Sequence, residues 1–298
     1  VVDYLDHAAF DALSAWQHTH EHAGGTVIVD EIGHPWFGRG KAGEPTVHRG
    51  RALRVVPRWF APWSDWQQAQ DNSGDPEMLP AQRSGPPALS SMRRGAVEFQ
   101  RRTAPLLKPT LSRLADTQSP QTLFITCGDA RIVPNIITTS GPGDLFTVRN
   151  IGNLVPDHQT AAEDASVGAA VEFAVGVLKV REVVVCGHSS CGAMKALLDG
   201  APHDAPALRS WLRHAEASRA RAAARPPVRI EGRPLPSEVD QLALHNVLEQ
   251  LDRLRAYPTV ARAESRGELD LVGMYFDVGD AQVHLYDART GLFRRLGR

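Results

Sequence analysis

The sequence predicts an α/β fold: a mostly parallel central β-sheet flanked by helices, with a partial βαβ segment at the amino end. Three observations carry this. Apolar runs at 122–126 and 182–186 are short and are followed by cysteine or glycine, the form of strands buried on both faces. Between them Val167, Val171, Ala174 and Leu178 recur at helical spacing, which predicts a helix over 161–178 packed on a sheet. Beyond them Leu244, Val247, Leu248, Leu251 and Leu254 mark a long amphipathic helix that should stop near Pro258. Strands alternating with helices imply parallel pairing, since each crossover returns the chain to the same end of the sheet.

Taken in order, residues 1–5 read as the end of a strand, and Asp6 as the cap of a helix reaching about Glu21. Phe10, Leu13 and Trp16 fall on its buried side. Gly24 and Gly25 stop it, and 26–29 form a second strand. This 1–37 segment is too small to bury a core alone. Glycine and proline punctuate 38–90, of which 71–90 reads as a linker. Trp59, Phe60, Trp63 and Trp66 cluster within it and read as a packing segment rather than a binding platform. Residues 91–298 read as a complete α/β domain, with further strands at 145–148, 271–276 and 282–286.

Composition narrows the function. With 298 residues, 42% apolar and 22% charged, the chain is globular rather than disordered. A formal net charge of −1 lacks the basic excess of a polyanion binder, so no nucleic-acid partner is expected. Three cysteines are too few for a disulfide framework. No apolar run reaches the roughly 18–20 residues of a membrane span; the nearest, 169–178, is broken by Glu172. The first residue is Val1 rather than Met, and we expect the chain to be a piece of a longer one.

The unusual residues sit at two strand ends. One reads Cys127-Gly128-Asp129-Ala130-Arg131, the other Cys186-Gly187-His188-Ser189-Ser190-Cys191-Gly192 before a helix. In parallel sheets, chemistry gathers at the carboxyl ends of strands. If the two strands are neighbours, Cys127, His188 and Cys191 converge as a zinc ligand set. Three protein ligands leave a fourth position for water, whose pKa zinc lowers from about 15.7 towards roughly 7. Two thiolates cancel the ion's charge, so this site should acidify water less than three imidazoles would. Asp129 is close enough to be the fourth ligand, and Arg131 is placed to hold it away through a two-pronged hydrogen bond. The pair therefore reads as a catalytic device, a switch, or part of a closed structural site. Cys186, inside an apolar strand, reads as a small buried hydrophobe. His18, His20 and His22 do not share one helix face and read as solvated surface.

At these residues the sequence resembles the β-class carbonic anhydrases, in CGDARIVP, PGDLFTVRNIGN, CGHSSCGAMKAL and HNVLEQLDRLRAYPTV. The resemblance implies zinc held by Cys127, His188 and Cys191, an Asp129–Arg131 dyad, and reversible hydration of CO2 to bicarbonate and a proton by zinc-bound hydroxide. It also implies a homodimer and a substrate pocket with Gln118, Phe146, Ile151 and Gly192. Two positions depart from the family. Phe124 stands where a bicarbonate-inhibited subgroup has tryptophan, and Phe173 where plant-like members have tyrosine. VVDYLDHAAFDALSAW and GGTVIVDE are similar to the end of a STAS domain, the tail of SulP-type anion transporters. That resemblance implies fusion to an upstream transporter membrane domain, with this chain on the cytoplasmic side and tethered to the membrane. The alternatives are a non-catalytic zinc-bound regulatory module and a related hydrolase acting on a substrate such as carbonyl sulfide.

Overall fold

The computed structural model describes residues 15–17, 19, 20, 22, 96, 97, 99–159 and 165–296. The expected strands at 1–5 and 26–29, the aromatic cluster, the linker and the start of the helix at 161–164 lie outside them. The chain divides into two compact units, Val1–Pro109 and Thr110–Arg298. In the first, residues around Trp16 are helical. Trp16, expected to be buried, is 55% exposed and stacks on His20 at 5.3 Å between ring centroids. A π-helical turn, Phe99–Thr103, runs into α1 (Ala104–Arg113).

The second unit is built on seven strands: β1 Thr122–Cys127, β2 Leu145–Asn150, β3 Glu182–His188, β4 Arg229–Ile230, β5 Asp270–Asp277, β6 Gln282–Asp287 and β7 Leu292–Arg295. They form one sheet in the order β2-β1-β3-β5-β6-β7-β4. The first four in that order are mutually parallel, β6 and β7 continue antiparallel, and β4 rejoins β7 in parallel. The expected mostly parallel sheet is therefore present, and β1 and β3 are direct neighbours, with Thr126 opposite Cys186.

Alternation along β1 and β3 separates two faces. Leu123, Ile125, Val183 and Val185 enter the main core with α3 (Ala165–Glu172), α4 (Gly192–Asp199) and α7 (Glu238–Arg255). Phe124, Val184, Cys186 and Met274 form a smaller cluster on the other face. The remaining helices are α2 (Pro134–Ile137), α5 (Pro206–Leu212), α6 (Glu216–Ala224) and α8 (Pro258–Ser265). Gly187 lets α7 lie close on β3: a Cβ there would meet Val247 Cγ2 at 2.7 Å and the Ala243 carbonyl oxygen at 3.3 Å.

Three local expectations need correction. The helix expected to 178 changes to a π-helical turn at Phe173–Leu178, ended by Lys179 in the left-handed region (φ 57°). Strand β3 continues through Gly187 to His188, because both residues pair with β5. The long helix ends at Arg255, and Pro258 starts α8 instead of merely stopping α7; proline fits a first helical turn, where its missing N–H has no partner to lose.

Candidate metal centre

The register of β1 and β3 brings both strand ends to one point. Cys127 is the last residue of β1, His188 the last of β3, and Cys191 caps α4 three residues on. One ligand atom from each lies within 4.8 Å of the others, and all three residues are buried. Cys186 points to the opposite face and is not in this group; burial pushes its thiol up to about 12.

The donors are prepared for a cation. His188 Nδ1 lies 2.9 Å from the Ser189 carbonyl oxygen. A carbonyl only accepts, so Nδ1 carries the proton and Nε2 keeps its lone pair. Nε2 is buried with no hydrogen-bond partner, a costly arrangement that a metal would relieve. The hydrogen bond from Cys191 is the main reason the Cys127 thiol is lowered to about 4. That same contact pushes the Cys191 thiol up, because a second negative sulfur is resisted beside the first. A divalent cation stabilises both thiolates at once, so the residues fit zinc.

Asp129 and Arg131 stand beside these donors. Arg131 Nε donates to Asp129 Oδ1 at 3.0 Å, and Nη2 donates to Oδ2 at 2.7 Å. The Arg131 backbone N–H adds a bond to Oδ1 at 2.9 Å. These bonds, the side-chain ones foremost, hold the Asp129 carboxyl down at about 2. Asp129 Oδ2 is 3.9 Å from His188 Nε2, so the carboxylate faces the ligand cluster while Arg131 grips it.

Other residues fix the surrounding loops, and sequence reasoning did not single them out. Arg149 donates to the carbonyl oxygens of Cys127 (3.2 Å) and Asp129 (2.7 Å). Asn246 Nδ2 donates to the Gly152 carbonyl at 2.9 Å, and the Val155 N–H donates to Gln250 Oε1 at 2.7 Å. Ser218 completes this buried network by donating to Asn246 Oδ1 at 2.8 Å. Polar residues on the apolar face of a helix were the available signal, since buried amides need partners.

Of the expected pocket residues, Ile151 and Gly192 adjoin the ligand cluster, whereas Phe146 pairs with Leu123 and Gln118 precedes Thr122, both at the amino end of β1 and away from Cys127. The Ile151 Cδ1 is 3.7 Å from where a Cβ on Gly128 would stand, so this side chain borders the Cys127–Asp129 loop. Trp211 Nε1 donates to the Ile151 carbonyl at 2.7 Å. Phe146 on β2 is half-buried and its ring lies 5.8 Å from that of Phe173. Gly192 opens α4 with free space around it, and Gln118 is exposed ahead of β1. Neither is brought into hydrogen-bond contact with the ligand cluster among the described residues.

A family model described as carbonic anhydrase matches residues 122–283. A carbonic anhydrase of Pseudomonas aeruginosa is 43% identical over 202 residues, covering 67% of this chain and 87% of that protein. Carbonic anhydrase 1 of Escherichia coli O157:H7 is 40% identical over 200 residues, 67% of this chain and 88% of that one. Among solved structures, the β-carbonic anhydrase CcaA superposes with a TM-score of 0.63 at 33% identity, over 70% of this chain and 98% of its own. A tetrameric β-carbonic anhydrase of Sordaria macrospora gives a TM-score of 0.51 at 29% identity, over 71% and 95%.

Proposed function

This chain belongs to the β-class carbonic anhydrase family, whose members are zinc enzymes, and we propose that it hydrates CO2 reversibly to bicarbonate and a proton. The observation that carries the reading is the Asp129–Arg131 pair set beside three convergent ligand atoms. Cys127, His188 and Cys191 would hold the zinc, which supplies Lewis acidity and makes water nucleophilic near neutral pH. Two thiolates dampen that acidity, so the chain's own groups must help. Asp129, kept anionic by Arg131, accepts a hydrogen bond from the attacking water and aims its lone pair. Because Arg131 donates to both carboxylate oxygens, Asp129 would be held back from a bound cation, which favours an open fourth position over a closed structural site. Ile151 gives the uncharged substrate an apolar wall and the Gly192 N–H is the polar group we assign to bicarbonate oxygens, whereas Phe146 and Gln118, at the other end of β1, would reach a substrate only across an interface between two copies of the chain.

We assign the catalytic domain to 91–298, a connector to 38–90 and a partial STAS-like segment to 1–37, the last fused in the parent protein to a SulP-type transporter on the cytoplasmic side of the membrane. Sequence similarity alone supports this fusion; no helix among the described residues is long and apolar enough to cross a membrane. We also propose that the chain forms a homodimer; the tetrameric β-carbonic anhydrases of Sordaria macrospora support an oligomer. Stopped-flow CO2 hydration by the zinc-loaded chain tests the activity. Asp129→Ala should lower the rate at least ~100-fold, the scale of a positioned acid–base group; an unchanged rate would remove the dyad from the mechanism. Parallel assays on carbonyl sulfide decide between substrates.

A further inference from the structure

We propose that Asp240 is a positioning residue for the Asp129–Arg131 pair, acting through the backbone of Ser190. The inference rests on the reading of that pair given above. Asp240 lies in the first turn of α7, three residues after its cap Ser237. Ser237 Oγ accepts the Asp240 N–H at 3.2 Å and donates to Asp240 Oδ2 at 2.9 Å. In a capping box the acidic side chain at this position turns back to the cap's own N–H. Here Oδ1 instead accepts the N–H of Ser190 at 2.7 Å, across to the loop between β3 and α4. A helix cap accounts for the bonds to Ser237 and leaves the bond to Ser190 unexplained.

Ser190 has φ 52°, in the left-handed region. A residue with a Cβ stays there only where its surroundings fix it. Both ends of Ser190 are fixed: its N–H by Asp240, its carbonyl by Arg131 Nη2, which donates to it at 3.1 Å. The preceding Ser189 is anchored to the end of β5, donating to the Phe276 carbonyl at 3.0 Å and accepting the Val278 N–H at 2.9 Å. The Ser190 carbonyl is thus a third acceptor for a guanidinium already bound to both Asp129 oxygens. It matters because the Arg131 side chain is 47% exposed, and exposed ion pairs are weakly held. Without Asp240, Ser190 relaxes out of the left-handed region, its carbonyl turns, and Arg131 swings free of Asp129.

The test compares the full zinc-loaded chain with Asp240→Ala and Asp240→Asn, reading kcat/KM per bound zinc, NMR solvent exchange of the Arg131 Nε–H, and thermal midpoint. The alanine variant should lose about 10–100-fold in kcat/KM, the range for a displaced reacting group, and its Arg131 Nε–H should exchange faster. The asparagine variant, whose amide oxygen still accepts from Ser190, should restore both. Ser237→Ala, which removes the cap and its bond to Asp240 Oδ2 but leaves Oδ1 on the Ser190 N–H, should lower the midpoint without moving Arg131 exchange. Wild-type exchange and activity in the alanine variant would overturn the proposal, as would an asparagine variant as defective as alanine. If alanine prevents folding, Asp240→Ser, polar but too short to reach Ser190, is read in its place. A wild-type chain that binds zinc without hydrating CO2 would sink the functional reading, and Arg131 exchange would then judge Asp240 separately.

Discussion

Cys127 and Cys186 are alternate residues in neighbouring strands, yet the sheet sends them to opposite fates. Cys127 faces a second thiol and an imidazole and is lowered to about 4, chiefly by the hydrogen bond from Cys191. Cys186 faces apolar side chains and is pushed up to about 12 by burial. Cys127→Ser should therefore abolish tight zinc binding, whereas Cys186→Ala should keep zinc and activity and cost about 1–2 kcal/mol of stability; metal analysis and denaturant midpoints check both. The ligand triad and the dyad were legible in the sequence, because cysteine, histidine and an Asp-x-Arg at strand ends are unusual residues in unusual places. Arg149, Asn246 and Asp240 were not. Each acts on backbone carbonyls or amides of a distant segment of the same chain, a pairing that residue spacing alone does not reveal. The faint signals were polar residues such as Asn246 on the apolar face of a helix, and Ser237 followed three residues later by Asp240, which reads as an ordinary helix start.

Among elements, α7 links the core to the metal centre. Its apolar side packs on β3 and β5, while its buried amides hold the loop after β2 and its first turn reaches the loop after β3. The close approach depends on Gly187. Gly187→Ala would drive a Cβ into Val247 Cγ2 at 2.7 Å, and such overpacking should cost about 1–3 kcal/mol, read as a lower urea midpoint. Because His188 follows directly, zinc should also leave faster in a chelator competition. Strands β1, β2, β3, β5 and β6 were legible as apolar runs. Strands β4 and β7 were not, being two and four residues long with arginines among them; their pairing is set by tertiary contacts. The π-helical turn at Phe173–Leu178 was hidden for a related reason, since its apolar residues satisfy a helical spacing equally well.

For the whole molecule, two buried histidines make stability depend on pH. His245 and His284 are both lowered from their ordinary value, mainly by burial, which disfavours the charged form. The unfolded chain, with histidines near pKa ~6.5, then takes up protons first. Their contribution is fully present above about pH 6.5 and falls as pH drops through the interval down to their folded values. The urea midpoint should be lower at about pH 5.5 than at about pH 7.5, and His245→Gln should shrink that difference. Zinc adds its own linkage: saturating metal should raise the thermal midpoint and a chelator should lower it. The most direct test of the account joins metal content to turnover in one preparation kept reduced. We expect a single zinc per chain, CO2 hydration that disappears on chelation, and full recovery when zinc is returned. Hydration that survives complete removal of the metal, or a protein that carries no metal at all, would contradict it.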